Sequence, residues 1–443
     1  MTVSGWFVAL VALGVVPVVL VGGATGEPGL VMAAWLLLVL LLGVIDLALA
    51  ASPRQVRIAR VVPERTRLGE TVVSELYLTN TGRRTLRGLV RDAWQPSAGA
   101  SPSRVRVAVP AGERRSVSIR LTPFRRGERR VERVTLRSSG PLRLWSRQAT
   151  ILAPGRIRVL PPFNARKHLP SRLARLRELD GATSVMVRGQ GTEFDSLREY
   201  VRGDDVRSID WRATARRHNT ETGSGNTLVV RTWRPERDRR VVIVIDTGRT
   251  SAARVADEPR IDTAFEAALL LAALATRAGD RVDLVAYDRR VRGRVQGATG
   301  ADLLAKMVDS MALVDPELIE MDWHAVPAQV QSITSHRALV VLLTSVEAPG
   351  ASTGLLSILP QLTRKHTVVV ASVTDPAALE AIAAPRNRDE VYLAAAAERS
   401  LLDISRVSAA IGRLGGDVVT GSPQDLPPVL ADHYLALKAA GRL

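Results

Sequence analysis

Six carboxylates and six guanidinium groups crowd one short stretch of this chain. Between residues 191 and 217 it reads GTEFDSLREYVRGDDVRSIDWRATARR, in which Glu193, Asp195, Glu199, Asp204, Asp205 and Asp210 interleave with Arg198, Arg202, Arg207, Arg212, Arg216 and Arg217. Paired carboxylates whose pKa values are pushed apart would suit a hydrolase or transferase. Here each carboxylate has arginines nearby, which hold it ionised, and no histidine joins the set. A nucleic-acid surface would want arginines without competing acids, and the near one-to-one mixing argues against it. The residue types favour a third chemistry, in which Arg–carboxylate forks pin an irregular segment to a domain. Tyr200 and Trp211 are then apolar anchors. Gly203-Asp204-Asp205 is expected to turn into a helix start capped by an Asp, with Ile209, Trp211 and Ala215 facing a core.

A second set centres on Asp246, at the end of the apolar run RVVIVIDTG (residues 240–248), followed by Thr250. Asp246-x-Gly248-x-Thr250 resembles the D-x-S-x-S metal-ion-dependent adhesion site of von Willebrand factor type A domains. That resemblance implies an oxygen-ligand site for Mg²⁺ that leaves a position for a partner's carboxylate. Gly248 lacks the first hydroxyl, and Ser345, in LTSVE (residues 343–347), stands where those domains place a second Asp. Thr299 is the candidate for the remaining hydroxyl. Mg²⁺ is therefore the one candidate cofactor, on a degenerate set of Asp246, Thr250 and Ser345. Without metal, Asp246 is simply a cap on a strand-to-helix turn.

Other chemistries lack their residues. The chain has no cysteine, so disulfides, thiolate zinc sites and thiol catalysis are excluded. GATGADLL (residues 297–304) lacks the G-K-[ST] ending of a phosphate-binding loop, there is no G-x-S-x-G, and the six histidines show no ligand spacing. No complete catalytic constellation emerges. With 61 Lys+Arg against 44 Asp+Glu the net charge is +17, which attracts nucleic acid or an anionic lipid surface. The arginines are dispersed rather than clustered, as on a solvated face.

Four regions must position these groups. Residues 1–52 hold two apolar runs, 5–24 and 30–45, separated by TGEPG. Each reaches spanning length once the second extends to residue 51, so a two-helix membrane hairpin is expected. Arg54, Arg57 and Arg60 follow the second run and the turn has no arginine, which places the bulk of the chain in the cytoplasm at the inner or plasma membrane. Asp46 would then sit at the cytoplasmic interface, where a carboxylate costs little. Residues 53–160 alternate apolar and polar side chains between turn signals, as a β-sandwich does. Residues 161–238 are a linker and the charged segment, packed on the next domain. Residues 239–443 alternate strands and helices, which predicts a doubly wound α/β sheet with its crevice at the carboxyl ends of the strands.

The charged segment carries a resemblance of its own. Glu193, Phe194, Arg198, Tyr200, Gly203, Asp204, Asp205, Arg207, Asp210, Trp211 and Arg216 stand in a pattern similar to the signature of a bacterial family known as domain of unknown function fifty-eight. The layout is also similar: membrane hairpin, β-rich middle, signature, then an α/β domain like that of von Willebrand factor type A. The resemblance implies a membrane-anchored binding or assembly protein that works with a MoxR-type AAA+ ATPase on an unnamed client. It supplies no reaction. Two alternatives are a carboxylate-based hydrolase or transferase, and a nucleic-acid or anionic-lipid binder.

Overall fold

A computed structural model of the chain describes residues 2–186, 193–201, 204, 206–218, 228–234, 239–383 and 385–443, and the backbone alone of 180–186, 193–196, 216–218 and 232–234. The chain divides into two compact units, Met1–Pro162 and Phe163–Leu443.

The first unit begins with two helices, Gly5–Thr25 and Pro28–Gln55, each long and apolar enough to cross a membrane. Gly26 turns between them at φ 73°, a backbone region that glycine enters without strain. The helices approach closely where Gly14 meets Trp35: a Cβ on Gly14 would lie 2.3 Å from the indole ring. The Trp35 Nε1 donates to the Leu10 carbonyl at 3.0 Å, so this deep indole has its partner inside the hairpin.

Two sheets follow and share one core; their strands are antiparallel except for a short one, Arg65–Arg67, which pairs parallel with residues 158–160. In one, Val56–Val61, Val72–Asn80, Arg114–Leu121 and Ala100–Ser101 lie in that order; in the other the order is Thr2–Val3, Trp145–Leu160, Gly127–Ser139, Leu86–Asp92 and Val105–Val109. Period-two patterning puts Leu76, Leu78, Ile119 and Leu121 of the first sheet against Leu86, Val90, Leu136 and Ile157 of the second. The strand residues 2–3 pair with Ser146 and Trp145, so the start of the chain is an edge strand of the second sheet.

Asp46 is not a solvated carboxylate: it is fully buried within the protein. Its carboxylate accepts from the backbone N–H groups of Leu142 (2.8 Å), Leu144 (2.7 Å) and Trp145 (3.2 Å), which form the loop between the two longest strands. A Cβ on Gly140 would meet Asp46 Oδ1 at 2.2 Å, so glycine is required for this approach. Trp145 packs on Phe7 with ring centroids 5.6 Å apart. Arg84 donates to the Ala48 carbonyl at the end of the second helix. The hairpin and the sheets are therefore joined by hydrogen bonds, not merely tethered.

Arg60 also departs from its expected place among the basic residues flanking the hairpin. Its guanidinium forks onto Asp92 with two 2.7 Å bonds, and its Nε donates to the Ala153 carbonyl. The side chains are 3% and 1% exposed. Trp94 Nε1 donates to the same carboxylate at 2.8 Å. Arg54 and Arg57 remain exposed.

The second unit centres on a six-stranded sheet. Its strands are β1 (Arg240–Asp246), β2 (Arg281–Tyr287), β3 (Val291–Val295), β4 (Leu339–Leu343), β5 (Thr367–Val373) and β6 (Asp417–Gly421), in the order β3-β2-β1-β4-β5-β6. All neighbours are parallel except β3, which runs against β2. The helices are α1 (Arg260–Arg277), α2 (Gly300–Ala312), α3 (Val326–Ile333), α4 (Thr353–Thr363), α5 (Arg388–Arg413) and α6 (Leu426–Ala439). Strands apolar at every position must be covered on both faces. Val241, Ile243 and Ile245 pack with α1, α2 and α6, while Val242 and Val244 pack with α3, α4 and α5. Glu266 of α1 is buried and accepts from the backbone N–H groups of Asn164 and Ala165, pinning the Pro-rich segment to this core.

Asp92→Ala would leave the Arg60 guanidinium buried without its partner, a change that costs about 3–5 kcal/mol. Amide hydrogen exchange in strand Leu86–Asp92 should register that loss. By contrast Arg115→Ala, whose pair with Glu113 is half exposed, should move it by less than about 1 kcal/mol.

Candidate functional site

The charged segment folds around two arginine–carboxylate pairs. The strand Glu193–Glu199 runs antiparallel to Val229–Arg234. At its end Arg198 forks onto Asp204 with two 2.7 Å bonds, and Asp204 also accepts from the Val201 N–H at 2.9 Å. Asp210 is the helix cap: its Oδ1 accepts from the backbone N–H groups of Arg212 and Ala213, both at 3.0 Å, at the start of the helix Trp211–His218. Its Oδ2 takes Arg231 Nε at 2.7 Å. Those N–H groups and the Arg231 guanidinium hold Asp210 below the usual carboxylate range. Asp210 thus caps the helix Trp211–His218, while a single helical turn, Val206–Ser208, follows the expected Gly203-Asp204-Asp205. Gly203 and Asp205 lie outside the described residues, as do the side chains of Glu193, Phe194 and Arg216.

Ile209 is buried, as expected, but Trp211 and Ala215 are not core residues. Trp211 is 66% exposed because it opens a short helix whose Thr214 turns toward the strands: the Val229 N–H donates to Thr214 Oγ1. Leu197, Val201 and Val206 are exposed with it, while Tyr200 is half-buried and Arg207 exposed. Among the described residues, Arg198 and Arg231 pair with Asp204 and Asp210, and Leu197, Val201, Val206 and Trp211 are exposed.

Asp246 closes β1 at the carboxyl edge of the sheet and is 3% exposed. Its Oδ1 accepts from the Gly248 N–H at 2.7 Å. Its Oδ2 accepts from Thr344 Oγ1 at 2.7 Å and Thr250 Oγ1 at 3.2 Å. Burial pushes its carboxyl up, against the pull of those three donors. The cleft above it is lined by Arg249, Thr250, Glu320, Ser345 and Glu347 and has room, about 20 Å³, for one water-sized group. Arg249 is paired with Glu320 at 2.8 Å, and Glu347 with Arg260 at 3.0 Å. Thr344, one residue before the expected Ser345, is the hydroxyl that reaches Asp246. In LTSVE both positions offered a hydroxyl, and only the register of β4 distinguishes them.

These residues do not fit a Mg²⁺ site. The ion needs carboxylate charge, and Asp246 is the one carboxylate within this hydrogen-bonded set; its oxygens already take three donors. Among the described residues no group of three His, Asp or Glu side chains is placed to hold a metal. A serine at Gly248 would also be crowded, since a Cβ there falls 2.9 Å from the Ile319 carbonyl and 3.1 Å from Asp246 Oδ1. Thr299 does not contribute. It precedes α2 at the far end of antiparallel β3, where the Gly297 N–H bonds Asp283 near the start of β2. That end of the sheet is opposite Asp246.

Next to Asp246, Asp288 ends β2 with no exposure. Burial raises its carboxyl, but Arg292 (2.5 Å), the Arg289 and Arg290 N–H groups and Thr247 (3.0 Å) outweigh burial and hold it low. The two neighbours therefore have opposite linkage. Asp246, raised in the fold, contributes stability below its unfolded pKa of about 3.9 that is lost as pH rises through its folded value. Asp288, depressed in the fold, contributes stability above about pH 3.9 that is lost as pH falls through its folded value. Denaturation midpoints taken across pH should show Asp246→Asn flattening the decline above about pH 4, and Asp288→Asn flattening the acid limb.

No curated protein matches the chain. Among solved structures, the chain is similar to the CARDB domain of the PF1109 protein from Pyrococcus furiosus at 13% identity, covering 26% of this chain and 91% of that one, with a TM-score of 0.19. It is similar to a PapD-like domain of human CEP192 at 17% identity, covering 24% and 84%, with a TM-score of 0.16. It is similar to WR4, a C. elegans MSP family member, at 12% identity, covering 25% and 99%, with a TM-score of 0.17. These likenesses are too distant to carry a fold. The model of the family described as "Protein of unknown function DUF58" matches residues 196–403, from inside the charged segment to the middle of α5. Over residues 196–403 the chain is therefore similar to the DUF58 family.

Proposed function

We propose that this chain is a membrane-anchored, cytoplasm-facing binding or assembly protein whose working partner is a MoxR-type AAA+ ATPase. The observation that carries the reading is the exposure of apolar side chains in the signature segment: Trp211 at 66%, with Leu197, Val201 and Val206 exposed as well. An exposed tryptophan amid paired charges has the composition of an interface anchor. The parallel order β3-β2-β1-β4-β5-β6 with one antiparallel edge, and Asp246 at the carboxyl end of its central strand, favour a doubly wound domain of the von Willebrand factor type A kind. Its crevice would act without metal: Arg249, Thr250 and Ser345 offer a guanidinium and hydroxyls to a partner's carboxylate.

The hydrolase reading finds less support. Asp204 and Asp210 are held by Arg198 and Arg231 and accept from backbone N–H groups, so their oxygens already have partners.

Two apolar helices with both outer ends at the β-sheets are the geometry of a hairpin, and exposed Arg54 and Arg57 follow it, which favours the cytoplasm for the bulk of the chain. A reporter fused at Leu443 should therefore be active only as a cytoplasmic enzyme, and a periplasmic signal would reverse the orientation. Capture from native membranes with the full-length chain should recover a MoxR-type ATPase. Trp211→Ala should lower that recovery about tenfold or more, as loss of an interface tryptophan does. Capture without any such ATPase from the wild type would sink the proposal.

A further inference from the structure

A groove in the first unit is not used by any of this. It opens between the two apolar helices and the loop that Asp46 holds, with a volume of about 540 Å³. Trp6, Leu10, Leu13 and Leu42 line it from the helices, and Leu142 and Arg143 line it from the loop. We propose that this groove binds one anionic phospholipid, with the Arg143 guanidinium on its phosphate and an acyl chain along the helices. The inference rests on the membrane anchoring proposed above.

Three features of the site favour that ligand. The first is depth. Trp6 to Leu13 spans two helical turns, roughly 10 Å along the axis, so the groove runs from the helix starts toward the middle of the hairpin. Trp6 is 70% exposed at the shallow end, the level at which tryptophan sits among lipid headgroups. An acyl chain enters at that level and follows the leucines inward, and a nucleic acid has nothing to hold there.

The second feature is charge. Arg143 is exposed and has no acidic partner among the described residues. It is the charged side chain of an otherwise apolar lining, so the groove offers one cationic end and an apolar body. A phospholipid has the complementary form, and an anionic headgroup completes the charge match.

The third feature is backbone. Arg143 adopts φ 56°, a left-handed conformation that a long side chain enters at a cost. The residues on either side are fixed, because the Leu142 and Leu144 N–H groups both bond Asp46. The Arg143 N–H in turn donates to the Gly140 carbonyl at 3.2 Å. The loop is thus held rigidly with an arginine where glycine would be easier, which points to a use for the guanidinium.

The test uses the full-length protein, extracted in non-ionic detergent and mixed with equal amounts of phosphatidylglycerol and phosphatidylcholine. Native mass spectrometry then counts retained lipid. The wild type should keep one phosphatidylglycerol in preference to phosphatidylcholine by about tenfold, the size of one charge-assisted bond. Arg143→Gly, which relaxes the backbone, should bring the ratio near one, and Arg143→Lys should keep it. Ala9→Phe, which fills the groove, should lower retention of both lipids. Equal retention by the wild type, or an unchanged ratio in Arg143→Gly, overturns the site. Alkaline extraction of the same membranes separates the two readings. Release of the wild type would remove the anchor and the site together, whereas an embedded protein without lipid preference removes the site alone.

Discussion

A carboxylate taken out of water must be given donors, and much of this molecule is built around meeting that demand. Asp46, Asp92, Asp246 and Asp288 are each almost completely buried, and each sits where two pieces of chain must be joined. Asp46 ties a helix to a sheet through three N–H groups. Asp92 takes an arginine fork and an indole between facing sheets. Asp246 gathers hydroxyls from the end of β4 and from the turn after its own strand. At Asp246 only N–H and O–H groups answer the charge, and burial pushes the carboxyl up. At neighbouring Asp288 the Arg292 guanidinium and two backbone N–H groups outweigh burial and hold the carboxyl low.

That constraint also explains what was legible in the sequence. Strands such as residues 240–246 and 367–373 declare themselves, because continuous apolar runs have no solution except burial on both faces. The long helix of residues 260–277 ends where Gly279 follows, at φ 80°. The alternation in residues 72–80 fixes which side chains face the β-core. The charged segment announced its ion pairs, and two of them are in place.

What was not legible depends on register and distance. Nothing local says that Asp46 will find N–H groups at 142–145, or that Arg60 will cross to Asp92. A basic residue near a hairpin reads as a flank, and its burial emerges only when the sheets assemble. Trp211 was read as an anchor because tryptophan is usually inside. Two capping bonds to Asp210 set the helix so that Thr214, not Trp211, meets the strands. Thr344 and Ser345 are adjacent hydroxyls, and alternation along β4 decides which one points at Asp246. Thr299 failed for a topological reason: an antiparallel edge strand carries the chain back to the wrong end of the sheet.

The bonds at Asp46 carry a consequence for the order of events during synthesis. Its donors lie 96, 98 and 99 residues further along the chain. At 5–20 residues per second the ribosome needs roughly 5–20 s to reach them after Asp46 has emerged. The edge strand at residues 2–3 waits longer still for Ser146 and Trp145. The hairpin is therefore made first and secured last. Until residue 145 appears, water or another protein must satisfy the carboxylate that the finished fold hides.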